Sequence, residues 1–184
     1  KKLKRKINLK KDICGAMLET FQGWGAIFYP IKYVQMFAKI CKKNDILIAF
    51  DEMQAGFSRT GKNFGFEHYN IKPDIICCGK GMGGGIAVSG VIGKKKIMDL
   101  PEVGNMSSTN SANPIACSAG LAVLEEIQKQ KLTARSKKLG FYLHKGLDNI
   151  GHKFPNLFQV YGKGLIASMF FNKKIKNINH KLKL

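Results

Sequence analysis

Two short apolar runs, residues 46–50 (ILIAF) and 75–78 (IICC), constrain this chain more than anything else in it. Each is four or five residues long and bounded by turn formers, the pattern of a buried strand. The first ends in two carboxylates, Asp51 and Glu52. The second leads to Lys80, set among glycines at 79, 81, 83, 84 and 85. Strand-length runs alternating with helical patterns predict a doubly wound sheet with helices packed on it. In open α/β sheets ligands sit at the carboxyl rim of the strands. The two runs are therefore expected to deliver an acid and an amine to one rim.

Taken singly, each residue has a plainer role. Asp51 suits a helix N-cap, Lys80 an exposed loop position, and the glycines a flexible turn. Together they say more. The glycines let backbone and ligand approach Lys80 closely. A lysine ending a buried strand is expected to be partly desolvated and to serve as a Schiff-base nucleophile. A carboxylate at the neighbouring strand end suits a protonated pyridine nitrogen. An amine and an acid so placed are what pyridoxal phosphate requires.

The motifs extend this. DEMQAGFSRTG at 51–61, PD at 73–74 and GKGMGGG at 79–85 resemble the signature of the class III aminotransferases of pyridoxal-phosphate fold type I. That group includes the ornithine, acetylornithine and 4-aminobutyrate enzymes. Upstream, Glu19-Thr20-Phe21-Gln22-Gly23 is similar to the family's E-P-x-Q-G. Downstream, SSTNSANPIACSAGLAVLEEI at 107–127 is similar to its G-S-T-x-x-G-N-P segment and the helix that follows. The resemblance covers residues 13–170.

The resemblance implies a three-layer α/β domain with a mixed, mostly parallel sheet, and the start of a small α+β C-terminal domain. Residues 1–12 form a basic segment, 13–150 part of the cofactor-binding large domain, and 151–184 the beginning of the small domain plus a basic tail. It implies that Lys80 carries the cofactor and moves the substrate's proton, and that Asp51 holds the ring nitrogen. Met53 would pack on the ring, at a position where the family usually has valine. Gln54 would bind the phenolic oxygen, and Ser108 and Thr109 the phosphate of a neighbouring subunit, which implies a homodimer with shared sites. Separately, no signal-peptide or membrane-span pattern is visible, and the expected compartment is cytoplasmic. The substrates would be an amino donor and a 2-oxo acid acceptor. Aminomutase, racemase or decarboxylase chemistry on the same scaffold stays open, as does a non-catalytic fragment. Family chains are more than twice this length, so the 184 residues alone are expected not to turn over. An incomplete sheet is expected to leave residues 46–50 as an uncovered edge.

Some features depart from the family. The residue after E-P-x-Q-G is often glutamate there and is Trp24 here. Glu19 and Trp24 are candidate walls of the substrate site, with a packed core aromatic as the other reading of Trp24. Asn110 and Ala112 also replace common family residues. GFSRTGK at 56–62 matches the glycine and lysine spacing of a phosphate-binding P-loop. However, position 63 is asparagine rather than serine or threonine, and no strand leads directly into the loop.

Charge and cysteines bear on partners. The net charge is +19. Seven of the first eleven residues and five of residues 173–184 are basic, with no acid among them. No aromatic residue interleaves with these runs, so no base-stacking platform for nucleic acid is indicated. No apolar run reaches the ~18 residues of a membrane span. Five cysteines without a C-x-x-C, and four histidines without ligand spacing, predict no metal site. The cysteines are expected as buried reduced thiols and the histidines as surface residues.

The remaining pattern predicts strands at 13–18, 87–93, 159–162 and 165–171. Helices are expected at 31–43, 94–100, 114–129 and 132–149, with long irregular stretches at 51–72 and 101–113.

Overall fold

The computed structural model describes residues 13–155 and 158–171; the two basic ends expected from the sequence lie outside them. In chain order the elements are β1 (Gly15–Glu19), β2 (Phe21–Gln22), β3 (Ile27–Phe28), α1 (Ile31–Lys43), β4 (Leu47–Asp51), β5 (Ile75–Cys78), β6 (Gly90–Gly93), α2 (Lys95–Met98), α3 (Pro114–Lys129), α4 (Leu132–Lys153), β7 (Phe158–Lys163) and β8 (Ile166–Phe171). Single 3₁₀ turns lie at Gly65–Tyr69 and Lys80–Gly83.

The main sheet has the order β1-β4-β5-β6. β1, β4 and β5 run parallel, and β6 closes the edge antiparallel. This is a mixed, mostly parallel α/β sheet. β4 sits at its centre, so the expected exposed edge at residues 46–50 is not found. Among the described residues the edges are β1 and β6.

α1 forms because its apolar residues recur at helical spacing: Val34, Phe37 and Cys41 are buried. Lys42 and Lys43 in its last turn complement the carbonyl end of the helix. The buried face meets Ile46, Ile48 and Phe50, and Tyr69 from the 3₁₀ turn completes the cluster. Burying side chains of this size contributes roughly 1.5–3 kcal/mol each. α3 starts at Pro114, and Asn113 caps it. The Asn113 Oδ1 accepts from the N–H groups of Ile115 (2.9 Å) and Ala116 (3.3 Å).

Several expectations are corrected. The loop after β1 contains a small antiparallel ladder, β2 with β3. It is too short for a periodicity argument. The 51–72 stretch folds a 3₁₀ turn because Glu52 binds its first amides. α4 runs to Lys153, past residue 149. Cys14 and Cys117 are exposed free thiols, whereas Cys41 and Cys78 are buried. His68 is half-buried, 3.1 Å from the Thr60 hydroxyl. His144 has its Nε2 enclosed without a hydrogen-bond partner among the described residues. A helix or strand places one such face inward whatever polar residue it carries.

The β7–β8 hairpin packs against the body of the fold. Gly164, at φ +59°, lies against the backbone of Thr60 and Gly61, and a Cβ on Gly140 of α4 would come within 2.5 Å of the Gly164 backbone. Only bare backbones can cross this closely. The Leu165 N–H donates to the Arg59 carbonyl at 3.0 Å. Among the described residues no helix is long and apolar enough to cross a membrane.

The core also sets a limit on alkaline stability. Burial pushes the Tyr69 hydroxyl up to about 12 and the Cys78 thiol up to about 11. Tyr69 donates to the Thr20 carbonyl at 2.5 Å and accepts from the Tyr29 N–H at 3.1 Å. Both groups hold their protons in the folded chain after the unfolded chain has released them. Their contribution is complete below their unfolded values and is lost as pH rises through the folded ones. We expect a flat thermal midpoint near neutral pH and a steep fall between about pH 9 and 12. Tyr69→Phe should flatten that fall, and an identical alkaline profile in this variant would exclude Tyr69 as its source.

Candidate functional site

The period-2 alternation of a strand decides which carboxylate faces the site. In β4, Ile48 and Phe50 point into the α1 core while Leu47, Ala49 and Asp51 face the other side half-buried. Glu52 continues the inward row and is 0 % exposed. Its carboxylate accepts from the Thr20 hydroxyl, from the Gly65 N–H at 2.7 Å and from the Phe66 N–H at 2.8 Å. Burial pushes the Glu52 carboxyl up, and the three donors pull against it. Glu52 is a structural anchor that ties the end of β4 to the loop after β1 and to the 3₁₀ turn.

Asp51 lies on the opposite face. The parallel register sets it between Glu19 of β1 and Cys77 of β5. Its Oδ1 accepts the Met53 N–H at 2.9 Å. Burial, then the Asp51 charge, raise the Cys77 thiol above its ordinary value. Asp51 does not line either of the cavities described next.

Lys80 follows β5 by two residues and has φ +41°, a left-handed conformation that costs a lysine on the order of 1 kcal/mol. It opens a 3₁₀ turn closed by the Met82 N–H to the Gly79 carbonyl at 3.0 Å. The desolvation expected for it is not found: its side chain is exposed, because glycines on both sides supply no covering atoms. Lys80 and Met53 line two cavities at once. The larger, of about 940 Å³, is also lined by Gly79, Met82, Ser108, Ala112 and Cys117. The smaller, of about 430 Å³, is also lined by Gln54, Phe57 and Arg59, with Val123, Ile127, Leu132 and Ile166 as an apolar wall.

The other expected site residues divide. Gln54 and Glu19 converge beside Gly23, whose N–H donates to Glu19 Oε2 at 3.4 Å, and whose Cβ, if present, would meet both side chains. Ser108 reaches the larger cavity and pairs with Ser111, hydroxyl to hydroxyl at 2.9 Å. Thr109 is exposed and lines neither cavity. Trp24 is 73 % exposed and packs edge-on to Phe170 of β8 at 5.5 Å. It is not a core aromatic and lines neither of the two cavities. Sequence reasoning gave no role to Met82, Phe57, Arg59 or Cys117, which line the cavities. Phe57 and Ser58 take positive φ, and no residue type in that pair announces it. Among the described residues no group of three or more ligand-type side chains is placed to hold a metal ion.

Asp51, Met53 and Lys80 thus sit at the ends of adjacent parallel strands, with Gln54, Ser108 and Glu19 around them. An amine, a carboxylate on the same rim and a glycine-lined approach suit a cofactor that carries an aldehyde, a basic ring nitrogen and an anionic group.

Known proteins are similar to this chain in sequence and in fold. The family model described as aminotransferase class III matches residues 1–183. An acetylornithine aminotransferase of Caldanaerobacter subterraneus subsp. tengcongensis is 41% identical over 158 residues, covering 85% of this chain and 40% of that protein. A leucine/methionine racemase of Thermococcus litoralis is 40% identical over 159 residues, covering 85% and 36%. The solved structure of Plasmodium falciparum ornithine δ-aminotransferase superposes with a TM-score of 0.87 at 30% identity, covering 96% of this chain and 46% of that one. The chain spans less than half the length of the relatives it matches.

Proposed function

Because the chain belongs to the class III aminotransferase family, we propose that it serves transfer of an amino group from an amine or amino acid to a 2-oxo acid, with pyridoxal phosphate as cofactor. The observation that carries this is Lys80 on the wall common to two cavities, on the same strand rim as Asp51.

The donor set fits the cofactor. Lys80 supplies the amine that anchors its aldehyde, and Asp51 the carboxylate for its ring nitrogen. Met53 offers an apolar surface to the ring, Gln54 an amide to the phenolic oxygen, and Ser108 and Thr109 hydroxyls to a phosphate. When bound, pyridoxal phosphate supplies the electron sink that makes the substrate's α-proton removable. Lys80 Nζ, once free of the cofactor, is the base that takes that proton and returns it. Asp51 keeps the ring nitrogen protonated. Glu52, from the opposite face, holds the strand end on which Asp51 stands. Glu19 and Gln54 border the substrate side.

The exposed 101–113 loop with Ser108 and Thr109, and the exposed Ile115, Leu121 and Leu124 of α3, support a homodimer with shared sites, which we place in the cytoplasm. We take residues 13–150 as the cofactor-binding domain and 151–184 as the start of a second.

The test is an assay with pyridoxal phosphate, a panel of amine donors and a 2-oxo acid, read by chromatography of the new amino acid. Cofactor-dependent transfer is expected when these residues stand in a chain of the relatives' full length. The 40% identity to a racemase favours one second reading. In that case amino acids would lose optical purity without any 2-oxo acid forming. Cofactor binding with neither outcome would identify a non-catalytic chain.

A further inference from the structure

Gly79 poses a question that backbone geometry does not answer. Its φ of −179° is extended backbone open to any residue, so conformation alone does not call for glycine. It is buried, and the obstacle is steric. A Cβ built on Gly79 would collide with Met53 Sδ and lie 3.5 Å from Met53 Cε and 3.7 Å from Ser89 Cβ. The two Met53 atoms and Ser89 are the neighbours it would meet, and only the sulfur is too close.

The register explains the encounter. Asp51 pairs with Cys77 in the parallel ladder, and the Glu52 N–H extends that ladder to the Cys77 carbonyl at 2.9 Å. Two residues further along each strand, on the same face, stand Met53 and Gly79. They are cross-strand neighbours, and the missing side chain of one is filled by the long side chain of the other. The next residue is Lys80, with φ +41°. Whatever fixes residue 79 therefore fixes the direction in which Lys80 leaves the strand. Met53 also lines both cavities beside Lys80.

We propose that Met53 and Gly79 are a matched pair that seats Lys80: the methionine sulfur fills the space of a residue-79 side chain and fixes the exit of Lys80 between the two cavities. Both are positioning residues. The pairing stands on steric geometry, and its consequence for the cofactor rests on the reading of Lys80 given above. A methyl group at residue 79 must push the flexible end of Met53 out of this place or meet a shorter residue 53, so the two positions are coupled: valine at 53 makes room for alanine at 79.

The experiment compares the wild-type protein, Gly79→Ala, Met53→Val and the double variant. Thermal midpoints are measured without cofactor. Lys80 modification by an amine-reactive reagent is measured by mass spectrometry, relative to the exposed Lys62. Half-saturation by pyridoxal phosphate is read by absorbance. Overpacking costs of about 1–3 kcal/mol correspond to about 5–150-fold in affinity. Because the end of Met53 is flexible, Gly79→Ala should weaken cofactor capture by about the lower of these factors, roughly fivefold. It should also shift Lys80 modification. The double variant should recover both, to within about threefold of Met53→Val alone. If Gly79→Ala fails to fold while the double variant folds, the same coupling is shown by yield. A double variant no better than Gly79→Ala, or Gly79→Ala indistinguishable from wild type, would overturn the pairing. A lack of cofactor capture by every protein, wild type included, would overturn the cofactor reading instead. The midpoints and Lys80 modification would still decide the pairing.

Discussion

Lys80→Ala is expected to abolish amino-group transfer while the thermal midpoint stays within about 2 °C of wild type. The side chain is exposed and makes no hydrogen bond or ion pair among the described residues. Surface truncations of this kind stay within about 0.5 kcal/mol, which for a chain of this size is on the order of 1–2 °C. The backbone strain at φ +41° remains with alanine, so the local turn is not relieved. The chemical loss, in contrast, is expected to be complete, because in the proposed function one nitrogen both anchors the cofactor and carries the proton. Neighbouring lysines offer no substitute: Lys62 and Lys72 line neither cavity. A variant with measurable cofactor-dependent transfer, or one that fails to fold, would show that Lys80 is not the reacting group or not merely that.

The second large effect separates adjacent carboxylates. Asp51→Ala and Glu52→Ala alter consecutive residues on opposite faces, and their phenotypes should be opposite. Asp51→Ala removes a half-buried acid whose Oδ1, among the described residues, holds only the Met53 N–H. We expect a small change in midpoint and a loss in cofactor affinity of about 10–150-fold, the equivalent of a charge-assisted hydrogen bond of roughly 1.5–3 kcal/mol. Glu52→Ala strips the Thr20 hydroxyl and the Gly65 and Phe66 amides of their acceptor in the core. Unpaired buried donors cost roughly 1–3 kcal/mol each. The midpoint should therefore fall by on the order of 10 °C or more. Differential scanning calorimetry and cofactor titration on both variants check this. Equal losses of stability would mean that the strand does not divide the two residues between site and core.

The sheet and its rim were legible because runs as apolar as 46–50 and 75–78 have few alternatives to buried strands. The helices at 31–43 and 114–129 were legible to the residue, since Pro30, Pro114 and Asn113 mark their starts. Lys80 and Asp51 could be placed on one rim from the same strand ends, whereas Met53 was reached through the family resemblance. What escaped was set by tertiary contacts. The β2–β3 ladder is two residues long on each side. The Gly65–Tyr69 turn exists because Glu52, thirteen residues earlier, binds its amides. Trp24 faces outward because Phe170, from the far end of the chain, is its partner. The pairing of Met53 with Gly79 needs the β4–β5 register, which neither motif states by itself.

The central claim is that Lys80 is the amine that holds pyridoxal phosphate on this rim. Its most direct measurement is borohydride reduction of the protein equilibrated with the cofactor, followed by peptide mass mapping. The account predicts one stoichiometric phosphopyridoxyl label, on Lys80, suppressed in Asp51→Ala at limiting cofactor. Label spread over the exposed lysines, or concentrated on a lysine other than Lys80, would contradict it.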